Sequence, residues 1–199
     1  IPPHRFHIHH YYFQQQYDKA MMMYMEAVRR DPKDYESMLN IAVIFSMNQK
    51  YEEAVNILNE IIQMAPDYAP AYMNRGLVYL DMQKLDLALA DANEAIRLDV
   101  KFANAYMNRG TIYMRMNQKE KAVQEYDQAV RLNPFLASAY YNRGLAWARL
   151  GDTKAAKQDF RKAIQLNPAD DQARRYLMMA EETEIWEQGQ GEYLYQRPQ

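Results

Sequence analysis

The hexapeptide Ala-Tyr-Met-Asn-Arg-Gly occupies residues 71–76 and returns letter for letter at 105–110; Ala-Tyr-Tyr-Asn-Arg-Gly follows at 139–144, 34 residues further on. A period of that length constrains the fold strongly. A unit so short cannot bury an apolar face alone, so consecutive units must stack and share a core. Framing the chain on Ala69 gives five repeats, 1–34, 35–68, 69–102, 103–136 and 137–170, the first of them degenerate. Position eleven of the frame is aromatic throughout: Tyr11, Phe45, Tyr79, Tyr113 and Trp147. Position twenty is Ala20, Ala54, Ala88, Ala122 and Ala156; position twenty-seven is Ala27, Ile61, Ala95, Ala129 and Ala163. Position thirty-two is Pro32, Pro66, Val100, Pro134 and Pro168. Position eight is Gly76, Gly110 and Gly144 in the last three repeats, Ala42 in the second and Ile8 in the first.

Each column has a physical reason. Apolar spacing within a repeat fits two amphipathic helices of about a dozen residues. In the third repeat helix A is expected near 70–82 and helix B near 85–98. The chain holds 6 Gly and few β-branched runs, which favours an all-α fold. Met116-Asn117-Gln118 and Leu150-Gly151-Asp152 stand at the expected A–B turn, where Asn and Gly suit a left-handed residue. Small residues at positions eight and twenty let the two axes approach, and aromatics fill the seams. Pro ends helix B because it lacks a donor and disfavours helix in the residue before it. Residues 171–188 read as a helix that caps the last apolar seam, and 189–199 as a flexible tail.

This order of small, aromatic, Ala and Pro positions resembles the tetratricopeptide repeat. The resemblance covers roughly residues 11–170 and is strongest from 69 onward; the first repeat departs from it in its helix A, His4–Gln16, while Tyr17–Pro32 fits helix B. It implies a right-handed superhelical solenoid of antiparallel helix pairs with helix A lining the concave face. Such a module binds other proteins and is not an enzyme.

The letters of the hexapeptide divide by role. Ala, Tyr and Gly serve packing. Arg75, Arg109 and Arg143 at position seven face Asp91, Glu125 and Asp159 at position twenty-three, while the second repeat has Ile41 and Ile57 at the same two places. Positions that exchange together within one chain are expected to be neighbours. The rival reading is a basic groove for acidic ligands. Asn40, Asn74, Asn108 and Asn142 hold position six in four consecutive repeats. Asn is a poor helix former, so its recurrence needs a cause. One cause is a bond to its own or a neighbouring helix. The other is recognition: a helical wheel places position six opposite the stripe of positions three, seven, ten and eleven, and a primary amide can meet both groups of a peptide unit. An extended chain advances about 3.3 Å per residue, so helices about 10 Å apart would meet every third residue. The arrangement resembles the asparagine ladder in the superhelical repeats of O-GlcNAc transferase. It also resembles part of the carboxylate clamp of chaperone-tail binders, but that clamp needs Lys at position two, which here is Glu36, Pro70, Asn104 and Ser138. Met73, Met107 and Tyr141 at position five and Leu77, Thr111 and Leu145 at position nine are the expected lining of the same peptide-binding face; Leu39 and Val43 hold these positions in the second repeat.

Other functions find little support. Net charge is −2, without the basic face that nucleic-acid binding needs. There is no Cys, which fits any compartment, and no apolar run of membrane-spanning length; the cytoplasm is the favoured location. All four His residues (His4, His7, His9, His10) lie in the first ten positions, where His7 and His10 could share a helix face toward a metal, though no metal or other cofactor is expected. The later repeats lack components for a nucleophile–base pair. The start at Ile1, without Met or a signal-like stretch, suggests a fragment or processed chain. The reading is therefore a scaffold that takes a protein or peptide partner in extended conformation. The alternatives are a self-assembling structural unit without a peptide ligand and a tethering region of a larger enzyme. Tyr193, Leu194 and Tyr195 of the tail suit weak self-association through a neighbour's groove.

Overall fold

The computed structural model describes the backbone of residues 4–187 and the side-chain surroundings of residues 17–182. Side chains of the His-rich start and the whole tail at 189–199 therefore lie outside the described residues. Among those described, every regular element is an α-helix. The chain forms two compact units, divided after Leu98. The first holds α1 (His4–Arg30), α2 (Tyr35–Met47), α3 (Tyr51–Met64), α4 (Ala69–Asp81) and α5 (Leu85–Leu98). The second holds α6 (Ala103–Arg115), α7 (Lys119–Leu132), α8 (Ala137–Leu150), α9 (Thr153–Leu166) and α10 (Asp171–Glu187). In each unit every helix packs on its sequence neighbour, and the A helices of adjacent repeats also touch, α2 on α4 and α6 on α8. No described helix is long and apolar enough to cross a membrane.

The turns between helices A and B show how the period is enforced. Position fifteen takes positive φ in four repeats: Gln49 at 60°, Gln83 at 59°, Asn117 at 58° and Gly151 at 87°. The next residue then donates its N–H back to the carbonyl of the position-eleven aromatic. The four bonds are Lys50 to Phe45 at 2.9 Å, Lys84 to Tyr79 at 2.8 Å, Gln118 to Tyr113 at 2.8 Å and Asp152 to Trp147 at 3.0 Å. This is the six-to-one bond of a Schellman ending. Sequence reading anticipates Asn117 and Gly151 there but not the two Gln residues.

The first repeat departs from expectation. Two helices are expected, yet α1 runs unbroken from His4 to Arg30. Gln14, Gln15 and Gln16 stand at the turn and are good helix formers. Gln alone does not decide, because Gln49 and Gln83 do turn. At position eight the first repeat has Ile8 where the later repeats have Gly or Ala.

The core follows the Ala columns. Ala54, Ala88, Ala122 and Ala156 are fully buried, as are Leu58, Ile61, Ala95, Ala129 and Ala163. In the first unit Met38, Ala42, Ala71 and Val78 join Leu58 and Ile61 in one cluster. In the second, Val123, Tyr126 and Ala146 pack with Trp147 and Tyr113. Position eight has two uses. A Cβ at Gly76 would sit 3.2 Å from the Ala88 carbonyl oxygen, so there the glycine admits backbone. A Cβ at Gly110 would sit 2.7 Å from the Tyr126 ring, so there it admits a large side chain from position twenty-four. At the far end of the second unit α10 packs on α9 and buries Ala173.

Candidate functional site

Position seven is resolved by its bonds. Arg75 donates from Nε and Nη2 to the two carboxylate oxygens of Asp91 at 2.8 and 2.7 Å. Arg109 grips Glu125 the same way at 2.9 and 2.9 Å, and Arg143 grips Asp159 at 2.8 and 2.7 Å. The remaining Nη1 of Arg75 reaches Asn59 at 2.6 Å, and that of Arg143 reaches Asp127 at 2.7 Å. Each guanidinium also lies over the Tyr three residues earlier, Tyr72, Tyr106 or Tyr140, at 5.4–5.5 Å. The Asp159 bond raises the Arg143 guanidinium further above its ordinary range despite burial. These cations are engaged within their own repeats and, for Arg75 and Arg143, with the preceding one as well, so the basic-groove reading of position seven does not hold. Ile41, buried, and Ile57, half-buried, replace the pair in the second repeat.

Position six is not opposite the buried stripe. Asn40, Asn74 and Asn142 are half-buried and Asn108 is buried. The reason is geometric: position six lies about 40° around the helix from position ten, and Ile44, Val78, Ile112 and Ala146 at position ten are all buried. Asn40 Nδ2 donates to the Glu36 carbonyl at 3.0 Å, and Asn74 Nδ2 to the Pro70 carbonyl at 2.8 Å. The bond to the preceding turn of its own helix therefore exists in both. It orients the amide, with Oδ1 turned away from that carbonyl.

Other expected lining residues have structural partners as well. Thr111 Oγ1 donates to the Met107 carbonyl at 3.1 Å and lies 3.2 Å from the Tyr126 hydroxyl. Burial pushes the Tyr126 phenol up to about 12, with the Thr111 bond and Arg149 pulling the other way. Met107 Sδ accepts from Ser138 at 3.2 Å. The Tyr141 hydroxyl and Gln172 Oε1 are 3.3 Å apart, and the Tyr141 ring lies against Phe160 and Tyr176. Met73 is half-buried.

The structure gathers part of the expected set into clefts, one of the same design in each unit. In the first unit Asn74, Leu77 and Asp81 of α4 face Val43, Met47 and Leu58 across about 220 Å³. In the second, Asn142, Leu145 and Arg149 of α8 face Thr111, Arg115 and Tyr126 across about 160 Å³. Register positions match: six, nine and thirteen of one repeat against nine, thirteen and twenty-four of the repeat before. A related cleft under the cap sets Phe160 at position twenty-four against Tyr176 and Met179 of α10.

Sequence profiles of the tetratricopeptide-repeat family match residues 14–74, 73–136 and 110–181, which together span the described repeats. The chain is a tetratricopeptide-repeat protein. No curated protein sequence matches it significantly. Its fold is that of solved tetratricopeptide-repeat structures. TTC0263, a thermophilic TPR protein of Thermus thermophilus, is 20% identical with a TM-score of 0.76, over 86% of this chain and 93% of its own. YrrB, described as a TPR protein with an unusual peptide-binding site, is 19% identical with a TM-score of 0.58, over 81% and 83%. The first TPR of Spaghetti (RPAP3), bound to the HSP90 peptide SRMEEVD, is 25% identical with a TM-score of 0.56, over 58% and 91%.

Within this tetratricopeptide-repeat frame, two contributors to the clefts lie beyond the expected positions five, six and nine. Position thirteen, with Met47, Asp81, Arg115 and Arg149, was findable: six, nine and thirteen follow three- and four-residue steps along one helix face. Position twenty-four, with Leu58 and Tyr126, comes from helix B of the preceding repeat and left no signal on helix A.

Proposed function

We propose that this protein is an interaction scaffold whose tetratricopeptide-repeat units each seat an extended peptide segment, with the position-six amides bonding the peptide backbone. One observation carries the reading: two separate units present a cleft built from the same register positions, with a half-buried Asn at its edge and aliphatic side chains beside it. Asn74 keeps Oδ1 and its second N–H for a ligand while Nδ2 remains tied to Pro70. The apolar members, Leu77 with Val43 and Leu145 with Tyr126, take a side chain. The solved relative that is 25% identical holds a peptide, and YrrB has a peptide-binding site. Position two carries Glu36, Pro70, Asn104 and Ser138 and no Lys, so the ligand is held along its backbone and not by a terminal carboxylate clamp.

The test is fluorescence anisotropy with a library of nine-residue extended peptides, followed by Asn74→Ala combined with Asn142→Ala. Each amide–backbone bond contributes about 1 kcal/mol net, so the double variant loses at least tenfold in affinity while its melting temperature stays within about 2 °C. Unchanged affinity with a large loss of stability returns both residues to a purely structural role.

A further inference from the structure

The two clefts share a design but not a charge. Position thirteen is Met47 and Asp81 in the first unit, Arg115 and Arg149 in the second. We infer that the cleft of the second unit is a subsite for an acidic side chain, Asp or Glu, of an extended peptide. This deepens the peptide-binding reading above and rests on it.

Four observations support the inference. Arg115 and Arg149 are both exposed, and neither has a carboxylate partner among the described residues, whereas the position-seven arginines are in bidentate pairs. No carboxylate lines this cleft, although acidic residues are as common as basic ones along the chain. The Lys119 ammonium donates to the Arg149 backbone carbonyl at 3.2 Å, so a third cation stands beside the second arginine. The Asn142 amide lines the same cleft together with both arginines. A carboxylate entering between two guanidinium forks can accept charge-assisted bonds from both, and the Asn142 amide adds a neutral donor.

A simpler role for Arg115 and Arg149 is to complement the negative ends of α6 and α8, in whose last turns they stand. The first unit argues against that as the whole explanation. The corresponding helices end in Met47 and Asp81, one neutral and one of the wrong sign, and are within one residue of the same length. Register is matched between the two clefts, so the exchange of charge points to what each admits.

The experiment uses the full chain and labelled nine-residue peptides with a neutral, extended background and Glu, Gln or Lys at the centre, read by anisotropy at low and high salt. Backbone amide resonances around Arg115 and Arg149 report the place of binding, and inorganic phosphate serves as a free anion. The Glu peptide binds at least tenfold more tightly than the Gln peptide, the gap shrinks with salt, and Arg115→Met with Arg149→Met closes it to under twofold with an unchanged melting temperature. Equal binding of Glu and Gln peptides overturns the acidic subsite and leaves the peptide reading intact. A Glu preference that survives both Arg substitutions also overturns it. Phosphate shifting the same resonances while no peptide binds means a free-anion site only; it overturns the peptide reading and the subsite as stated here.

Discussion

Arg109 and Glu125, 16 residues apart, meet through two parallel hydrogen bonds of 2.9 Å with side chains 19% and 15% exposed, at the two repeat positions that Ile41 and Ile57 occupy in the second repeat. The pair joins helix A to helix B of one repeat. Removing one member leaves the other charge poorly solvated, whereas replacing both by apolar groups is a solution the chain already uses. Arg109→Leu alone is expected to cost about 3 kcal/mol, and Arg109→Leu with Glu125→Leu to regain at least half of it. Urea denaturation of the four proteins of the cycle measures this; additive losses would show that the contact is not energetically coupled.

The Gly110–Tyr126 contact makes a second case. Ala at 110 gains about 1 kcal/mol in helix propensity, but its Cβ would stand 2.7 Å from the ring. Overpacking costs about 1–3 kcal/mol, so Gly110→Ala should lose stability on balance. The second repeat pairs Ala42 with Leu58 in the equivalent positions, both fully buried. Adding Tyr126→Leu to Gly110→Ala should therefore raise the melting temperature above that of the single variant. A further drop would mean the ring is held for some reason other than space.

Tyr126 also sets an alkaline limit. Its phenol titrates near 10 when unfolded and near 12 when folded, because burial disfavours the phenolate. Below pH 10 both states hold the proton and the term is constant. Between pH 10 and 12 the unfolded state has released it and the folded state has not, so stability falls with rising pH, by about 2–3 kcal/mol across the window. The stability difference between the parent and Tyr126→Phe should be flat up to pH 9 and change by that amount, against the parent, by pH 12. Parallel curves would show that the phenol is not protected by the fold.

Most of the repeat architecture was legible because each column answers to one local constraint. Ala at position twenty has no room for more, and the Arg–carboxylate pairing was visible because the second repeat changes both positions at once. What stayed hidden depended on a third body. The continuous α1 is not announced by propensity, since Gln14–Gln16 resemble Gln49 and Gln83, which do turn. Left-handed Gln49 and Gln83 obey the packing of their repeats and not their own preference. A wheel drawn for one helix puts position six on an open face. The buried position-ten residues beside it bring it to an edge, and the clefts close only when Leu58 or Tyr126 arrives from the neighbouring repeat.

In the proposed mode of binding the position-six amides touch the ligand. Side-chain amide resonances of Asn74 and Asn142, assigned by their loss in the two Ala variants and followed during titration with the tightest library peptide, test this most directly. Both N–H pairs are expected to shift saturably, with the dissociation constant found by anisotropy. Saturation of binding with both side-chain amides unmoved would contradict it.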